Sequence, residues 1–251
     1  MRLELFTFTI SHFSEKARWG LDHAGVPYRE RLLVPGPHLR VIRKMAPKST
    51  VPVLRHGETC IQGSGAILDY AEQNLGVSWV ALSPGDAARA KELEAKADVA
   101  FGRGTQTIFY EILLKHPKLV VDMWSQRGPF WAPLMLRLAF PRVRPLVARL
   151  YDTRPEHVAE SRDRFRALFD ETDRMLADGD YFFADAPHRA DFAVAALLAP
   201  LCTPSEHVLR WPAFPEEALP FVAEFRDRPT WNFVRRMYRE HRRPRASSSA
   251  A

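Results

Sequence analysis

This sequence predicts a small α/β unit of about eighty residues followed by an all-helical domain. Two observations carry that reading. Short β-rich and helix-periodic segments alternate in the order β-α-β-α-β-β-α as far as Gly76, and beyond a Ser83-Pro84-Gly85 break the periodic stretches all have helical spacing. At 251 residues the chain has room for one large or two modest domains.

The elements follow in order. Leu3-Glu4-Leu5-Phe6-Thr7-Phe8 reads as a first strand. Phe13, Ala17, Leu21 and Ala24 then recur at helical spacing, with Gly25 as the stop and Pro27 just beyond. Tyr28 to Val34 reads as a second strand, and Pro35-Gly36-Pro37 leads into a helix over 38–45. Val51 to Leu54 and Thr59 to Ile61 form a strand pair across His56-Gly57. Ile67, Tyr70, Ala71 and Leu75 line one helix face. In the second domain a helix is expected from Asp86 towards Leu114 and another through Val158 to Leu176. The apolar run Ala190–Leu201 reads as a buried central helix, opened by His188 and Asp191. Pro117, Pro129, Pro133, Pro141 and Pro145 predict several short helices over 117–150, as a hairpin packed on its own domain or the wall of an apolar pocket. The domain boundaries expected are 1–77 and 86–240, with 241–251 a solvated basic Ser/Ala tail.

Composition excludes several classes. Two cysteines, Cys60 and Cys202, make no disulfide framework, and neither a C-x-x-C nor an H-x-x-x-H pair suggests a metal. No leader is visible at the start and no run approaches the ~18 apolar residues of a span, so a cytoplasmic protein is expected. The net charge of +6 resides largely in residues 235–251, where six arginines face one acid. That location argues against nucleic-acid binding. Arg137, Arg142, Arg144 and Arg149 interrupt any apolar face over 129–150, which argues against even reversible membrane association there, and no stable membrane insertion is expected.

Ser11-His12-Phe13-Ser14-Glu15-Lys16-Ala17-Arg18-Trp19, Gly25-Val26-Pro27-Tyr28, Val51-Pro52-Val53-Leu54 and Ser64-Gly65-Ala66-Ile67-Leu68-Asp69-Tyr70 together resemble the glutathione transferase family, of the cytosolic, serine-type, bacterial-like kind. The resemblance implies a thioredoxin-like first domain that binds glutathione as co-substrate and a helical second domain that binds an apolar electrophile. It also implies a homodimeric, cytoplasmic transferase of detoxification type without a metal. The alternative is a non-catalytic member kept as a ligand-binding or protein-interaction module.

Site residues follow from that resemblance. Ser11, at the start of the first helix, is the candidate to hydrogen-bond the glutathione thiolate and lower its pKa. Ser14 is second in line. Val51-Pro52 is expected in cis, presenting the Val51 backbone to the cysteinyl part of glutathione. Ser64 is expected to cap the next helix and hold the γ-glutamyl carboxylate. The family's acidic or amide residue before this serine is here Gly63, leaving Gln62 as the substitute partner for the γ-glutamyl ammonium. His38 is a candidate contact for the glycyl carboxylate. Tyr110 and Arg103, on the long helix, are candidates for the substrate pocket.

Overall fold

The computed structural model describes residues 2–177 and 179–242. Four strands, β1 (Leu3–Thr7), β2 (Arg29–Leu32), β3 (Val53–His56) and β4 (Thr59–Gln62), form one sheet in the order β2-β1-β3-β4. β1 pairs parallel with β2 (Leu5 opposite Glu30) and antiparallel with β3 (Leu5 opposite Leu54), and β3 pairs antiparallel with β4. β1 is central and buried along its whole length. Its one charged residue, Glu4, is paired with Arg31 and Arg55. α1 (His12–His23), α2 (Leu39–Ile42) and α3 (Ser64–Asn74) complete a thioredoxin-like domain. Gly20 of α1 meets α3 so closely that a Cβ there would lie 2.4 Å from a Leu68 methyl.

The second domain is helical: α4 (Pro84–Ala97), a π turn (Asp98–Arg103), α5 (Gly104–Leu113), α6 (Pro117–Ser125), α7 (Ala132–Leu150), α8 (Pro155–Met175), α9 (Arg189–Cys202), α10 (Leu219–Ala223) and α11 (Pro229–His241). α9 is the buried centre that its sequence predicts. Asp191 accepts from the backbone N–H groups of His188 (2.9 Å) and Phe182 (3.0 Å), and His188 Nδ1 accepts from Ala190 at a long 3.5 Å. Both halves of a capping box are therefore present.

The two domains share a charged, buried seam. Lys16 of α1, fully buried, reaches Glu94 (2.9 Å) and Asp98 (2.6 Å), and Arg189 of α9 joins Glu94 (2.7 Å) to Asp69 and Glu72 of α3.

Two expectations need correction. Residues 117–150 form only two main helices, because Pro117 and Pro133 occupy first-turn positions, where no N–H is needed. Pro141 and Pro145 lie inside α7 on its exposed side, where water can take the carbonyls that they leave unpaired. The solvated tail was expected from residue 241, but α11 includes His241 and Arg242 is buried. The Arg242 guanidinium bonds Glu15 (2.7 Å) and Asp22 (2.9 Å), so ion pairing holds it in the fold. Residues 243–251 lie outside the described residues.

Candidate functional site

A cleft of about 1230 Å³ runs between the domains. Its first-domain side is built from three chain segments that converge at the open end of the sheet. Ser11 is the N-cap of α1, with extended backbone (φ −76°, ψ 110°), and its Oγ accepts from the Ser14 N–H at 3.1 Å. Because Oγ uses a lone pair for the cap, its hydrogen remains to be donated. Ser11 lines the cleft; Ser14 does not. Ser14 Oγ is buried without a hydrogen-bond partner, which removes the second candidate from the cleft surface.

The second segment is the loop before β3, where Val51–Pro52 is cis. Pro52 C=O accepts from Gly63 N–H (3.0 Å), while the Val51 amide and carbonyl have no hydrogen-bond partner among the described residues. An extended ligand could pair with them. The third segment is the start of α3. Gly63, not Ser64, is the N-cap, with φ +103°, a conformation that favours glycine over any side chain. Ser64 is the first helical residue, buried and facing the cleft, and its hydroxyl has no protein partner among the described residues.

Two expected ligand contacts serve the protein instead. Gln62 Nε2 donates to the carbonyls of Lys48 (2.7 Å) and Thr50 (2.8 Å), and its Oε1 accepts from Lys48 N–H. The amide is thus occupied in bracing the loop that carries the cis proline. His38 Nδ1 accepts from Gly36 N–H and its Nε2 donates to Ser49 C=O, both at 3.0 Å, while its ring meets Phe8 edge-on. These bonds define a neutral ring, and partial burial also lowers its pKa from the ordinary value. Both residues line the cleft, yet their polar atoms are spoken for.

The opposite wall comes from the π turn, α5, α6, α7 and the loop 211–215. Tyr110 is buried, stacked on Tyr151 (4.5 Å between centroids), and its hydroxyl accepts from Trp124 Nε1 at 2.9 Å. Burial pushes its pKa well above the phenol range, so it can donate a hydrogen bond but not ionise. Arg103 is exposed at the rim, with no ion pair among the described residues. Leu113, Leu119, Met123, Val143 and Phe214 make the wall apolar.

Sequence reasoning missed Asp98 and His12. Asp98 lines the cleft, and its Oδ2 lies 4.0 Å from where a Cβ on Gly65 would stand, beside the start of α3. Burial raises its pKa, against the opposing pull of Lys16. His12 is buried, with Nε2 donating to Gly102 C=O (3.0 Å) in the π turn, and burial lowers its pKa to about 4. The signal for Asp98 was hidden by the wrong period. At 100° per residue Asp98 and Arg103 diverge by about 140°, whereas an i→i+5 turn brings them round to one face. The Gly104 N–H to Val99 C=O bond is such a turn.

A thioredoxin-like domain with a cis proline and a serine-capped first helix, closed by an all-helical second domain, defines the glutathione transferase fold. Residues 5–79 match the glutathione S-transferase, N-terminal domain family. The fold of the whole chain is similar to the glutathione S-transferase of Ceriporiopsis subvermispora in complex with glutathione (18% identity, 98% of this chain and 100% of that one, TM-score 0.62). It is similar also to the beta-etherase LigF from Sphingobium sp. strain SYK-6 (19%, 93% and 98%, TM-score 0.61) and to apo human glutathione-S-transferase T1-1 (17%, 95% and 88%, TM-score 0.58). No curated protein sequence matches the chain.

Proposed function

We propose that this chain binds glutathione across α1, the Val51–Pro52 loop and α3, and activates its thiol for attack on an apolar electrophile held against the helical wall. The observation that carries the reading is Ser11. Its hydroxyl caps α1, faces the cleft and keeps its hydrogen for a ligand, at a helix start that favours an anion. That hydrogen would bond the thiolate and lower the thiol pKa. The Val51 backbone would pair with the cysteinyl residue, and Ser64 with the first N–H groups of α3 would take the γ-glutamyl carboxylate. Gly63 offers no side chain for the γ-glutamyl ammonium and Gln62 is engaged, so Asp98 is assigned that role. The glutathione complex of the Ceriporiopsis protein supports the ligand, at the level of the shared fold. The expected homodimer, with the first domain of one copy against the helical domain of the other, belongs to this proposal.

Calorimetry with glutathione, followed by ultraviolet titration of the bound thiol, tests it. Binding with a thiolate present well below the reference pKa of about 8.5 is the expected result. Absence of binding would refute the proposal. Binding with an unshifted thiol would favour the non-catalytic module, for which the missing side chain at Gly63 is the specific motive.

A further inference from the structure

We infer that the outer face of α7 is a docking surface for an anionic lipid membrane. Read along the sequence, Arg137, Arg142, Arg144 and Arg149 break up an apolar stretch. Wound into α7 at about 100° per residue, they no longer do so. Leu134, Leu138, Pro141 and Pro145 fall within an arc of about 60° that points away from the buried Leu136, Phe140 and Val147. Arg137 and Arg144 flank that arc on one side, Arg142 and Arg149 on the other. All four are exposed. Leu134 and Leu138 are 65% and 68% exposed, and the approach to the helix adds Phe130, 96% exposed, and the exposed Trp131.

An apolar ridge with cationic shoulders and aromatic residues at one end suits a helix lying in the lipid interface. The charge pattern selects the occupant. Between Asp122 and Asp152 the chain has five arginines, counting Arg127, and no acidic residue. A second copy packed about a two-fold axis would set this face, with its arginines and no acid, against an identical one. A lipid surface rich in phosphatidylserine supplies both the hydrocarbon for the ridge and the anions for its shoulders. No described helix is long and apolar enough to cross a membrane, so the association lies at the surface. Leu146 and Leu150 of the same helix border the cleft. Docking would therefore bring the cleft beside the lipid, a route for an apolar electrophile if the proposed function holds.

The test is co-sedimentation of the full chain with vesicles of phosphatidylcholine, with and without phosphatidylserine, in the absence of glutathione, so that it is independent of catalysis. Binding is expected only with phosphatidylserine and should weaken as salt shortens the screening length. Arg142→Gln with Arg149→Gln should weaken partition about 25-fold, taking about fivefold for each arginine near such a surface. Leu134→Asp with Leu138→Asp should abolish it, and thermal unfolding should be unchanged in both variants because all four side chains are exposed. The inference is overturned by absence of sedimentation, or by sedimentation that neither variant reduces. It is overturned too if the leucine variant still binds while the arginine variant does not, which would mark a bare cationic patch for an acidic protein. Dissociation of a lipid-free dimer by the leucine variant, read by light scattering, would instead mark an interface between copies.

Discussion

Replacing Ser11 by alanine tests the proposed chemistry most directly, because its hydroxyl makes one bond in the structure and is proposed to make a second, separable one to the ligand. One is the cap, accepted from Ser14 N–H at 3.1 Å. Its loss should cost about 1 kcal/mol, or about 2–4 °C in Tm for a chain of this size. The other is the hydrogen that faces the cleft. A hydrogen bond to a charged group is worth about 1.5–3 kcal/mol, which corresponds to about one to two pKa units. Ser11→Ala should therefore raise the pKa of bound glutathione by that amount and slow conjugation about 10- to 100-fold below neutral pH, with little change in affinity. Ser11→Asp separates the two bonds. Aspartate caps a helix as well as serine does, but its charge beside the thiolate should push the thiol pKa up further. Stability should thus be kept while activity falls. Ultraviolet titration of the bound thiolate and thermal unfolding measure the two effects independently. Ser14→Ala should leave the titration unchanged, since Ser14 is absent from the cleft surface. An unshifted thiolate titration in Ser11→Ala would falsify the assignment, whatever happened to stability.

Other consequences follow from the same geometry. Asp98→Asn should weaken glutathione about 10- to 150-fold yet leave an analogue lacking the γ-glutamyl amino group unaffected; equal losses for both ligands would make Asp98 merely structural. Arg242→Ala removes one partner of Asp22, which Tyr28 also bonds, and one of two ion-pair partners of buried Glu15, and denaturant unfolding should show a loss of about 3 kcal/mol; an unchanged midpoint would mean that Arg242 does not hold the fold. Acid should destabilise the protein between pH 6.5 and 4. Burial keeps His12 and His207 neutral, with pKa values lowered to about 4, so the unfolded chain takes up their protons first and stability falls with pH across that window. Asp191, raised by burial to about 6, works in the opposite sense, because its folded carboxyl binds a proton before the unfolded one does. The histidines outweigh it, leaving a net loss on the order of 4 kcal/mol; urea midpoints equal at pH 7 and pH 4 would contradict this balance.

Where a feature depends on neighbours in sequence, the sequence showed it. Ser11 before a helix-periodic run, Val51-Pro52 before an apolar strand and Ser64 at the start of the next helix are local signals, and each lies at the cleft, although Gly63 rather than Ser64 turned out to be the cap. The misses are of another kind. Gln62 and His38 have suitable chemistry, but the Gln62 amide and His38 Nε2 are used by the 46–51 loop, which folds back on them from 11 to 14 residues away, and His38 Nδ1 is used by Gly36 N–H. Asp98 was hidden by a π turn that no α-helical period anticipates. Arg242 lies in a stretch whose composition reads as solvated, while its partner Glu15 is 227 residues distant. The arginines of α7 interrupt an apolar run in one dimension and flank it in three.

The buried seam also decides which parts of the cleft can move. Lys16 and Arg189 are almost wholly inaccessible, and every carboxylate they meet joins α1 or α9 to α3, α4 or the π turn. Hinging one domain from the other would strip buried charges of their partners, at about 3–5 kcal/mol for each broken pair. Ser11, which rides on α1, is therefore fixed relative to Asp98 before any ligand arrives. The α6–α7 wall is tied differently. Besides its apolar packing and the Trp124–Tyr110 bond, it is held by Thr9, which bonds the Gln126 carbonyl, and by the Gln126 side chain, which bonds the backbone of Arg210 at the surface, all of them neutral bonds. These cost far less to exchange with water. Entry of a bulky electrophile should accordingly displace α6, α7 and the 211–215 loop, leaving the thiol-activating side preorganised.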